Sequence, residues 1–200
     1  PLAVTVRPPL ELELGKNNLI NFINSGYDHI HISPNRHVMR ALDRIGFEKQ
    51  GFAYFGWLTS IYTSVLNLAS KMNINLIVYA EDGEIEFWGT RNLERKKIFS
   101  FEHQKKVILE GGYDDYMKIL KKKFKNLNLF LYPNQKNLKK IRATFFSYYT
   151  PWDPYKNYLI AKKECGLAEN ENTNQGTFTN FAQNDQKLYL LHMYLMYLKF

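Results

Sequence analysis

The stretch Leu2-Ala-Val-Thr-Val6 and the residues that follow it to position 48 decide the fold class. Leu2–Val6 is a short, mainly apolar run that Arg7-Pro8-Pro9 ends, which is typical of a strand. Apolar residues then recur at helical spacing over 15–26, His29-Ile-His-Ile-Ser33 alternates as strands do, and Asn35–Glu48 returns to helical spacing. The order strand, helix, strand, helix predicts a parallel sheet covered by helices.

Further elements extend this pattern along the chain. Trp57–Met72 has the clearest helical spacing, and Leu76–Ala80 is apolar without alternation, which predicts a strand buried on both faces. Leu129–Tyr132 is compatible with another strand, and Asn137–Phe146 fits either a helix or a strand. We predict one α/β domain over 1–200, with a sheet core over 1–90 and a mainly helical part over 91–200. The remaining predicted helices are Glu102–Glu110, Asp114–Lys125, Tyr155–Glu164 and Gln186–Lys199.

Composition limits the class of protein. Hydrophobic residues make up 45% of the chain, which excludes a wholly disordered protein. The single cysteine, Cys165, cannot form an internal disulfide, as expected in a reducing compartment such as the cytoplasm. The most apolar run, Leu188–Leu198, is shorter than the roughly 20 residues that span a bilayer, so we expect a buried helix there and no membrane insertion. Residue 1 is Pro and no stop signal precedes Phe200, so we expect a fragment incomplete at both ends.

The net charge of +8 is concentrated in one segment. Residues 91–142 contain 15 Lys or Arg and 5 Asp or Glu, and the rest of the chain is slightly acidic. Such a segment could meet phosphates, nucleic acid or an acidic partner protein. A lysine-rich, solvated helix face is the simpler alternative.

In open parallel sheets, ligands bind beyond the carboxyl ends of the strands. This rule selects Arg7, then Ser33 and Asn35, and then the pair Glu81 and Asp82. The planar fork of Arg7 could hold a phosphate, with a surface ion pair as the alternative. The acidic pair, with Glu84 and Glu86 close behind, could bind Mg²⁺ or a sugar hydroxyl, or could form a solvated turn.

Two later segments carry polar and aromatic side chains. In Pro151-Trp-Asp-Pro-Tyr-Lys-Asn-Tyr158 the aromatic rings could stack on a base or a sugar, whereas Asp153 before Pro154 is typical of a helix cap. The stretch Asn174–Gln186 offers many donors and acceptors of the kind that recognise sugars, with a disordered connector as the alternative. Its candidate residues are Thr177, Thr179, Asn180, Gln183, Asn184 and Asp185.

Several common motifs do not occur. The sequence has no G-x-x-x-x-G-K-[ST] loop, no G-x-G-x-x-G and no G-x-S-x-G. One cysteine excludes a cysteine zinc cluster within this sequence, and His29 with His31 lacks an evident third ligand.

Together, these segments resemble the N-acetyl sugar amidotransferases of bacterial lipopolysaccharide and flagellar-glycan biosynthesis. That family belongs to the PP-loop ATP pyrophosphatases. The resemblance rests on seven segments that occur in the expected order and extend over nearly the whole chain. They are Val4-Thr-Val-Arg-Pro-Pro9, Ile45-Gly-Phe47, Glu81-Asp-Gly-Glu-Ile-Glu86, Leu109-Glu-Gly-Gly-Tyr113, Trp152-Asp-Pro-Tyr-Lys-Asn157, Gly176-Thr-Phe-Thr-Asn-Phe-Ala-Gln-Asn-Asp185 and Tyr194-Leu-Met-Tyr-Leu-Lys-Phe200.

The resemblance implies a fold, an activity and partners. The fold would be a Rossmann-like parallel sheet of the adenine nucleotide alpha hydrolase type, truncated at the first strand, with a helical C-terminal elaboration. ATP with Mg²⁺ would adenylate the acetamido oxygen of a UDP-linked or related N-acetyl sugar and release pyrophosphate. Ammonia from a partner glutaminase, delivered through a synthase-like subunit, would then give an acetamidino group. Nucleic acid is not an expected partner of such an enzyme.

Roles for individual residues follow from the resemblance together with the strand-end rule. Arg7, Ser33 and Asn35 would lie at the nucleotide. Glu81, Asp82 and Glu86 would line the catalytic cleft, with possible Mg²⁺ contacts at Glu81 and Asp82. The substrate-binding residues on the sugar side would be Trp152, Asp153, Asn157, Thr177, Thr179, Asn180, Asn184 and Asp185.

The sequence also departs from the family pattern. The family's Ser-Gly-Gly-x-Asp-Ser loop does not occur, because the sequence begins at what would be the second strand. Ala80 and Trp88 stand where relatives commonly have Gly, and their side chains would crowd a nucleotide pocket. Two other functions therefore stay open: a PP-loop enzyme that modifies tRNA and holds it with the basic segment, and an inactive truncated product that only binds a partner.

Overall fold

A computed structural model describes residues 1–83, 97, 100–173, 179–188, 191 and 194–195. The chain divides into two compact units, of which the first combines Pro1–Trp57 with Asp153–Phe200 and the second is Leu58–Trp152. The prediction of a single domain stays a prediction. In chain order the elements are β1 (Ala3–Val6), α1 (Glu13–Asn24), β2 (His29–Ile32), α2 (Arg36–Gln50), α3 (Phe55–Lys71), β3 (Leu76–Tyr79), α4 (Phe101–His103), α5 (Tyr113–Lys121), α6 (Gln135–Leu138), β4 (Arg142–Phe145) and α7 (Pro154–Cys165).

The first unit contains the predicted strand–helix–strand–helix order. Strands β1 and β2 pair in parallel, with Ala3 opposite His29 and Val6 opposite Ile32. Helix α1 connects them, as a parallel pair requires. The expected elements over residues 2–48 are therefore confirmed to within a few residues.

Helix α2 has a defined beginning and end. The side chain of Asn35 accepts hydrogen bonds from the backbone N–H groups of His37 and Val38, at 2.9 and 3.3 Å. At the other end Gly51 has a φ of +65°, a left-handed conformation that glycine adopts without steric cost. These two residues stop the helix at the limits its apolar spacing predicts.

Two glycines let α2 and the start of α3 approach closely. A Cβ atom on Gly46 would lie 2.5 Å from the Cβ atom of Phe55, and one on Gly56 would lie 2.5 Å from the carbonyl oxygen of Met39. No side chain fits at such distances unless the helices separate. The contact therefore depends on glycine at both positions.

Gly46→Ala is expected to destabilise the protein, although alanine is the better helix former. The added methyl group must displace Phe55, and overpacking of this kind costs about 1–3 kcal/mol. Urea unfolding followed by circular dichroism measures the change. Arg40→Ala, on the exposed side of the same helix, is the control and should change stability by less than about 0.5 kcal/mol. A Gly46→Ala variant as stable as the control would contradict the close approach.

The second unit contains another parallel pair, in which Leu76 of β3 lies opposite Arg142 of β4. Ile77 points into a cluster of buried apolar side chains, whereas Leu76 and Val78 are 60% and 47% exposed. The prediction that this strand is buried on both faces is wrong, because only one face of the pair meets the core. The other members of the cluster are Tyr62, Leu66, Ala69, Ile108, Leu138, Ile141, Ala143 and Phe145.

Three local predictions in this unit need correction. Leu129–Tyr132 is not a strand but contains a 3-10 turn over Asn128–Phe130. Its carbonyl groups are satisfied by α3, since Thr63 donates to Leu129 O at 2.6 Å and Asn67 donates to Leu131 O at 2.6 Å. The ambiguous stretch at 137–146 divides between the end of α6 and strand β4.

The predicted helix at 102–110 is one α-helical turn followed by a π-helix over Gln104–Ile108. The helices predicted at 114–125 and 155–164 are confirmed as α5 and α7, although α5 ends earlier, at Lys121. Most of the predicted helix 186–199 lies outside the described residues.

The described residues confirm a mixed α/β protein with parallel strand pairing. They do not form the single Rossmann-like sheet that the sequence predicts, because the four strands lie in two separate two-stranded sheets. Within the described part of the chain, no helix has both the length and the apolar character needed to cross a membrane.

Candidate functional site

The carboxyl edge of the β1–β2 pair brings together the first two predicted groups. Arg7 follows β1 and Ser33 follows β2, and the N–H of Arg7 donates to the carbonyl oxygen of Ile32 at 2.8 Å. Residues far apart in sequence thus meet at one edge of this pair, and the ligand contacts that the strand-end rule predicts for them stay a prediction. Ser33 and Asn35 are exposed there, although the carbonyl oxygen of the Asn35 side chain already caps α2.

Arg7 forms an ion pair with Glu11. Its Nε and Nη2 atoms lie 3.1 and 3.0 Å from the same carboxylate oxygen, Oε2. The side chain of Arg7 is 36% exposed, whereas that of Glu11 is only 7% exposed. The ion pair that the sequence left open is thus present, and it fixes a guanidinium group whose outer part still faces solvent.

A second carboxylate reaches this site from near the end of the chain. Leu12 N–H donates to Asp185 O at 2.8 Å, and Glu11 and Gln186 form an antiparallel bridge. A Cβ atom on Gly15 would lie 2.5 Å from the Cα atom of Asp185, so glycine is required for this contact. These main-chain contacts hold Asp185 beside the Arg7–Glu11 pair.

The site favours protonation of Asp185. Burial raises the pKa of its carboxyl group, its own N–H and that of Gln186 oppose this, and the charge of Glu11 raises the pKa further. The neighbouring Gln186 is fully buried, and its Oε1 atom has no hydrogen-bond partner in the described part of the chain. The site thus combines the Arg7–Glu11 ion pair with a half-buried carboxyl group near Glu11 and a buried amide that bridges to Glu11 through the main chain.

The side-chain amides that were predicted to bind a sugar form hydrogen bonds within the segment that contains Asp185. Asn170 donates from Nδ2 to Asn184 Oδ1 at 2.7 Å, and Asn184 donates from Nδ2 to Asn180 O at 3.0 Å. Asn180 in turn donates from Nδ2 to Asn170 O at 3.0 Å. These bonds occupy the polar groups that were predicted to recognise a sugar, so Asn180 and Asn184 position Asp185. Thr179 is half-buried in the same segment, and Thr177 lies outside the described residues.

Residues 179–187 are an ordered segment and not the disordered connector that the sequence left as an alternative. Phe181 stacks on Tyr158 of α7, with ring centroids 4.2 Å apart and planes 14° from parallel. Offset aromatic stacking of this kind adds to the area buried. The segment is therefore attached to α7 as well as to the Leu10–Leu12 loop.

The Trp152–Asn157 group is explained largely by helix capping. Asp153 accepts a hydrogen bond from Lys156 N–H at 3.0 Å, with Pro154 at the first helical position. Trp152 and Asn157 are half-buried. No hydrogen bond or ion pair among the described residues joins Asp153 or Asn157 to Arg7, Glu11 or Asp185.

The predicted acidic group follows β3 in the second unit. Glu81 is exposed, Asp82 is half-buried, and Gly83 N–H donates to Ser147 Oγ at 2.8 Å. Glu84, Glu86 and Trp88 lie outside the described residues. No three His, Cys, Asp or Glu side chains in the described ranges are placed to hold a metal ion.

Sequence reasoning missed two acidic residues in the first unit. Glu11 belongs to the alternating stretch Leu10-Glu-Leu-Glu-Leu14, a pattern that would direct the leucines inward and Glu11 toward solvent, so no local signal marked its burial. Asp43 lies among the apolar residues of α2, where helical spacing alone marks it as inward-facing.

Asp43 accepts a hydrogen bond from Gly56 N–H at 2.7 Å and another from the N–H of Trp57, so it caps the start of α3. Burial outweighs these two bonds and raises the pKa of its carboxyl group to about 7. The indole N–H of Trp57 points to the carbonyl oxygen of Val6 at 3.5 Å, a long hydrogen bond. The start of α3 therefore lies beside the end of β1, close to Arg7.

No protein-family model matches this chain, and no curated protein matches it either.

Proposed function

We propose that the chain forms part of an ATP-dependent amidotransferase that converts the N-acetyl group of a sugar nucleotide into an acetamidino group. The observation that supports this most is that Asp185 lies against the Leu10–Leu12 segment, close enough for the charge of Glu11, the ion-pair partner of Arg7, to raise its pKa. The family resemblance assigns Arg7 to the nucleotide and Asp185 to the sugar, and a reaction between the two ligands requires their sites to adjoin. The proposed partners are a glutaminase and a synthase-like subunit that supply ammonia.

The side chains at this edge suit parts of that chemistry. The outer part of Arg7 can meet an anionic phosphate oxygen, and the exposed hydroxyl of Ser33 can donate to it. Attack by ammonia on an activated amide carbon requires loss of a proton from the attacking nitrogen. A carboxylate whose pKa is raised above its ordinary value is a stronger base and is better suited to accept that proton. Asp185 is the candidate for this role.

The residues present account for only part of an ATP site. The 200 residues do not include the Ser-Gly-Gly-x-Asp-Ser loop, and the described residues offer no cluster that fits Mg²⁺. Arg7 and Ser33 would contact phosphate when ATP is bound, and ATP would supply the leaving group for the amide oxygen. Glu81, Asp82 and Glu86 remain predicted cleft residues, and no step is assigned to them.

Asp185→Asn is expected to lower the rate of ammonia-dependent turnover by about 100-fold, the lower range for loss of a general base. Asparagine keeps the shape of the side chain but cannot accept the proton. The assay measures pyrophosphate released from ATP by the protein expressed from its complete reading frame, with a UDP-N-acetyl sugar and ammonia. The control is Asp115→Asn on α5, where an exposed aspartate pairs only with Lys118 among the described residues. Equal rates for the two variants would show that Asp185 is not the general base.

One observation favours a second candidate function, the modification of tRNA. Residues 101–142 contain 11 Lys or Arg and 4 Asp or Glu. Most of these basic side chains are exposed, and within the described ranges none from Lys121 to Arg142 forms an ion pair. Such a surface suits an RNA backbone. RNA binding that weakens steeply with salt would support this function, and its absence at low salt would exclude it.

A further inference from the structure

The second unit contains a surface cavity of about 500 Å³ whose lining combines aromatic rings with lysines. Cavities of this size are typical of small-molecule sites. The π-helix supplies Lys105, α5 supplies Lys118 and Lys121, and the loop before α6 supplies Tyr132. None of these residues belongs to the candidate site at Arg7.

Lys105 is the most precisely held cation in this cavity. Its Nζ atom lies 5.1 Å from the ring centre of Tyr113 and 5.0 Å from that of Tyr132. Both rings are themselves fixed, because Tyr113 donates to Phe130 O at 2.9 Å and Tyr132 donates to Gln104 Oε1 at 2.7 Å. The ammonium group is therefore positioned before any ligand arrives, which reduces the entropy lost on binding.

The charge of Lys105 is only weakly neutralised. Its ion-pair partner among the described residues is Asp114 Oδ1 at 3.5 Å, and that aspartate is 69% exposed. The side chain of Lys105 is 25% exposed, but its pair with an exposed carboxylate at this distance contributes little, so an anion can compete with Asp114. Lys121 lines the same cavity, one helical turn beyond Lys118, and forms no ion pair within the described ranges.

The apolar part of the lining shows what the rest of the ligand should be. Phe101, Met117 and Leu131 line the cavity together with the tyrosine rings. A free phosphate would use the lysines and leave these groups without a partner. An organic phosphate with a flat ring would use both. The lysine lies in a π-helix, a rare element that often occurs at functional sites.

We propose that this cavity binds an organic phosphate of nucleoside monophosphate size. Its phosphate meets Lys105 and Lys121, and its ring packs against the aromatic and apolar lining. The site is additional to the one proposed for ATP and the sugar, and it would exist even if the amidotransferase function were wrong.

The test is isothermal titration calorimetry of the chain with UMP, and with uridine as the phosphate-free control. UMP should bind at least about tenfold more tightly than uridine, since one charge-assisted contact of about 1.4 kcal/mol corresponds to that factor. Lys105→Gln should remove most of this advantage. Lys106→Gln is the matched control, because the adjacent lysine is on the same π-helix but outside the lining, and it should leave affinity unchanged.

One further variant keeps the test decisive. If thermal unfolding shows that Lys105→Gln is not folded, the exposed Lys121→Gln variant takes its place and should weaken UMP several-fold. Equal binding of UMP and uridine, or equal losses in Lys105→Gln and Lys106→Gln, would overturn the proposal. So would tight binding of a single-stranded oligonucleotide that Lys105→Gln does not affect.

Discussion

Asp43→Asn is expected to remove a large part of the pH dependence of stability between about pH 4 and pH 7. In the folded protein burial raises the pKa of Asp43 from its ordinary 3.8 to about 7. Between these values the folded state holds a proton that the unfolded state has lost. The free energy of unfolding therefore falls as the pH rises through this window, and it stops falling above about pH 7.

The size of the effect follows from the difference between the two pKa values. A difference of one in pKa between the folded and unfolded states corresponds to 1.36 kcal/mol in the free energy of unfolding. The pKa of about 7 in the folded protein, against 3.8 ordinarily, therefore corresponds to about 4 kcal/mol as an upper bound. Asparagine has the same shape and can still accept the N–H of Gly56 through its oxygen. We therefore expect the variant to gain stability over the wild type progressively with pH.

Urea unfolding of both proteins at a series of pH values measures this difference in the free energy of unfolding. The contributions of the other titrating groups are the same in both proteins and drop out of the difference. Asp28→Asn is the control, because Asp28 is exposed and in the same unit. Its curve should run parallel to that of the wild type. If the Asp43→Asn curve also runs parallel, Asp43 is ionised in the folded protein and its proposed environment is wrong.

Arg7→Met is the second substitution with a large expected effect. It leaves the nearly buried carboxylate of Glu11 beside Asp185 without a compensating charge. Breaking a fully buried pair in this way costs about 3–5 kcal/mol, and we expect about 2–3 kcal/mol here because Arg7 is partly exposed. Lowering the pH should reduce the loss, since burial raises the pKa of Asp185 and its protonation removes one of the two neighbouring negative charges.

The reverse substitution should be milder. Glu11→Gln leaves Arg7 in contact with solvent and removes a negative charge near Asp185, so we expect a loss of about 1 kcal/mol. The double variant Arg7→Met/Glu11→Gln should be more stable than Arg7→Met alone. Unfolding experiments on the four proteins form a double-mutant cycle. Equal losses for the two single variants would show that Glu11 is not held in a water-poor site.

Local pattern was a good guide to the first unit. The apolar spacing predicted β1, α1, β2 and α2, and the strand-end rule placed Arg7 beside Ser33. These elements are close in sequence, and α2 has its own start and stop residues, Asn35 and Gly51. The sequence also indicated the cap at Asp153, whereas the capping role of Asn35 was not predicted.

Features that depend on distant contacts could not be predicted in this way. The run 129–132 has strand composition, but Thr63 and Asn67 of α3 satisfy its carbonyl groups and leave no need for a strand partner. The exposure of Leu76 follows from the fact that only one face of the β3–β4 pair is covered, which an apolar run alone does not reveal. The hydrogen bonds of Asn180 and Asn184 with Asn170 could not be predicted either, because nothing local in the sequence indicates them.

The most direct test of the proposed function is the ligand dependence of pyrophosphate release by the protein expressed from its complete reading frame. The proposal predicts that pyrophosphate release requires a UDP-N-acetyl sugar, that AMP release and repeated turnover require ammonia as well, and that the sugar gains an acetamidino group. Pyrophosphate release that requires tRNA instead of the sugar, or no release under any of these conditions, would contradict it.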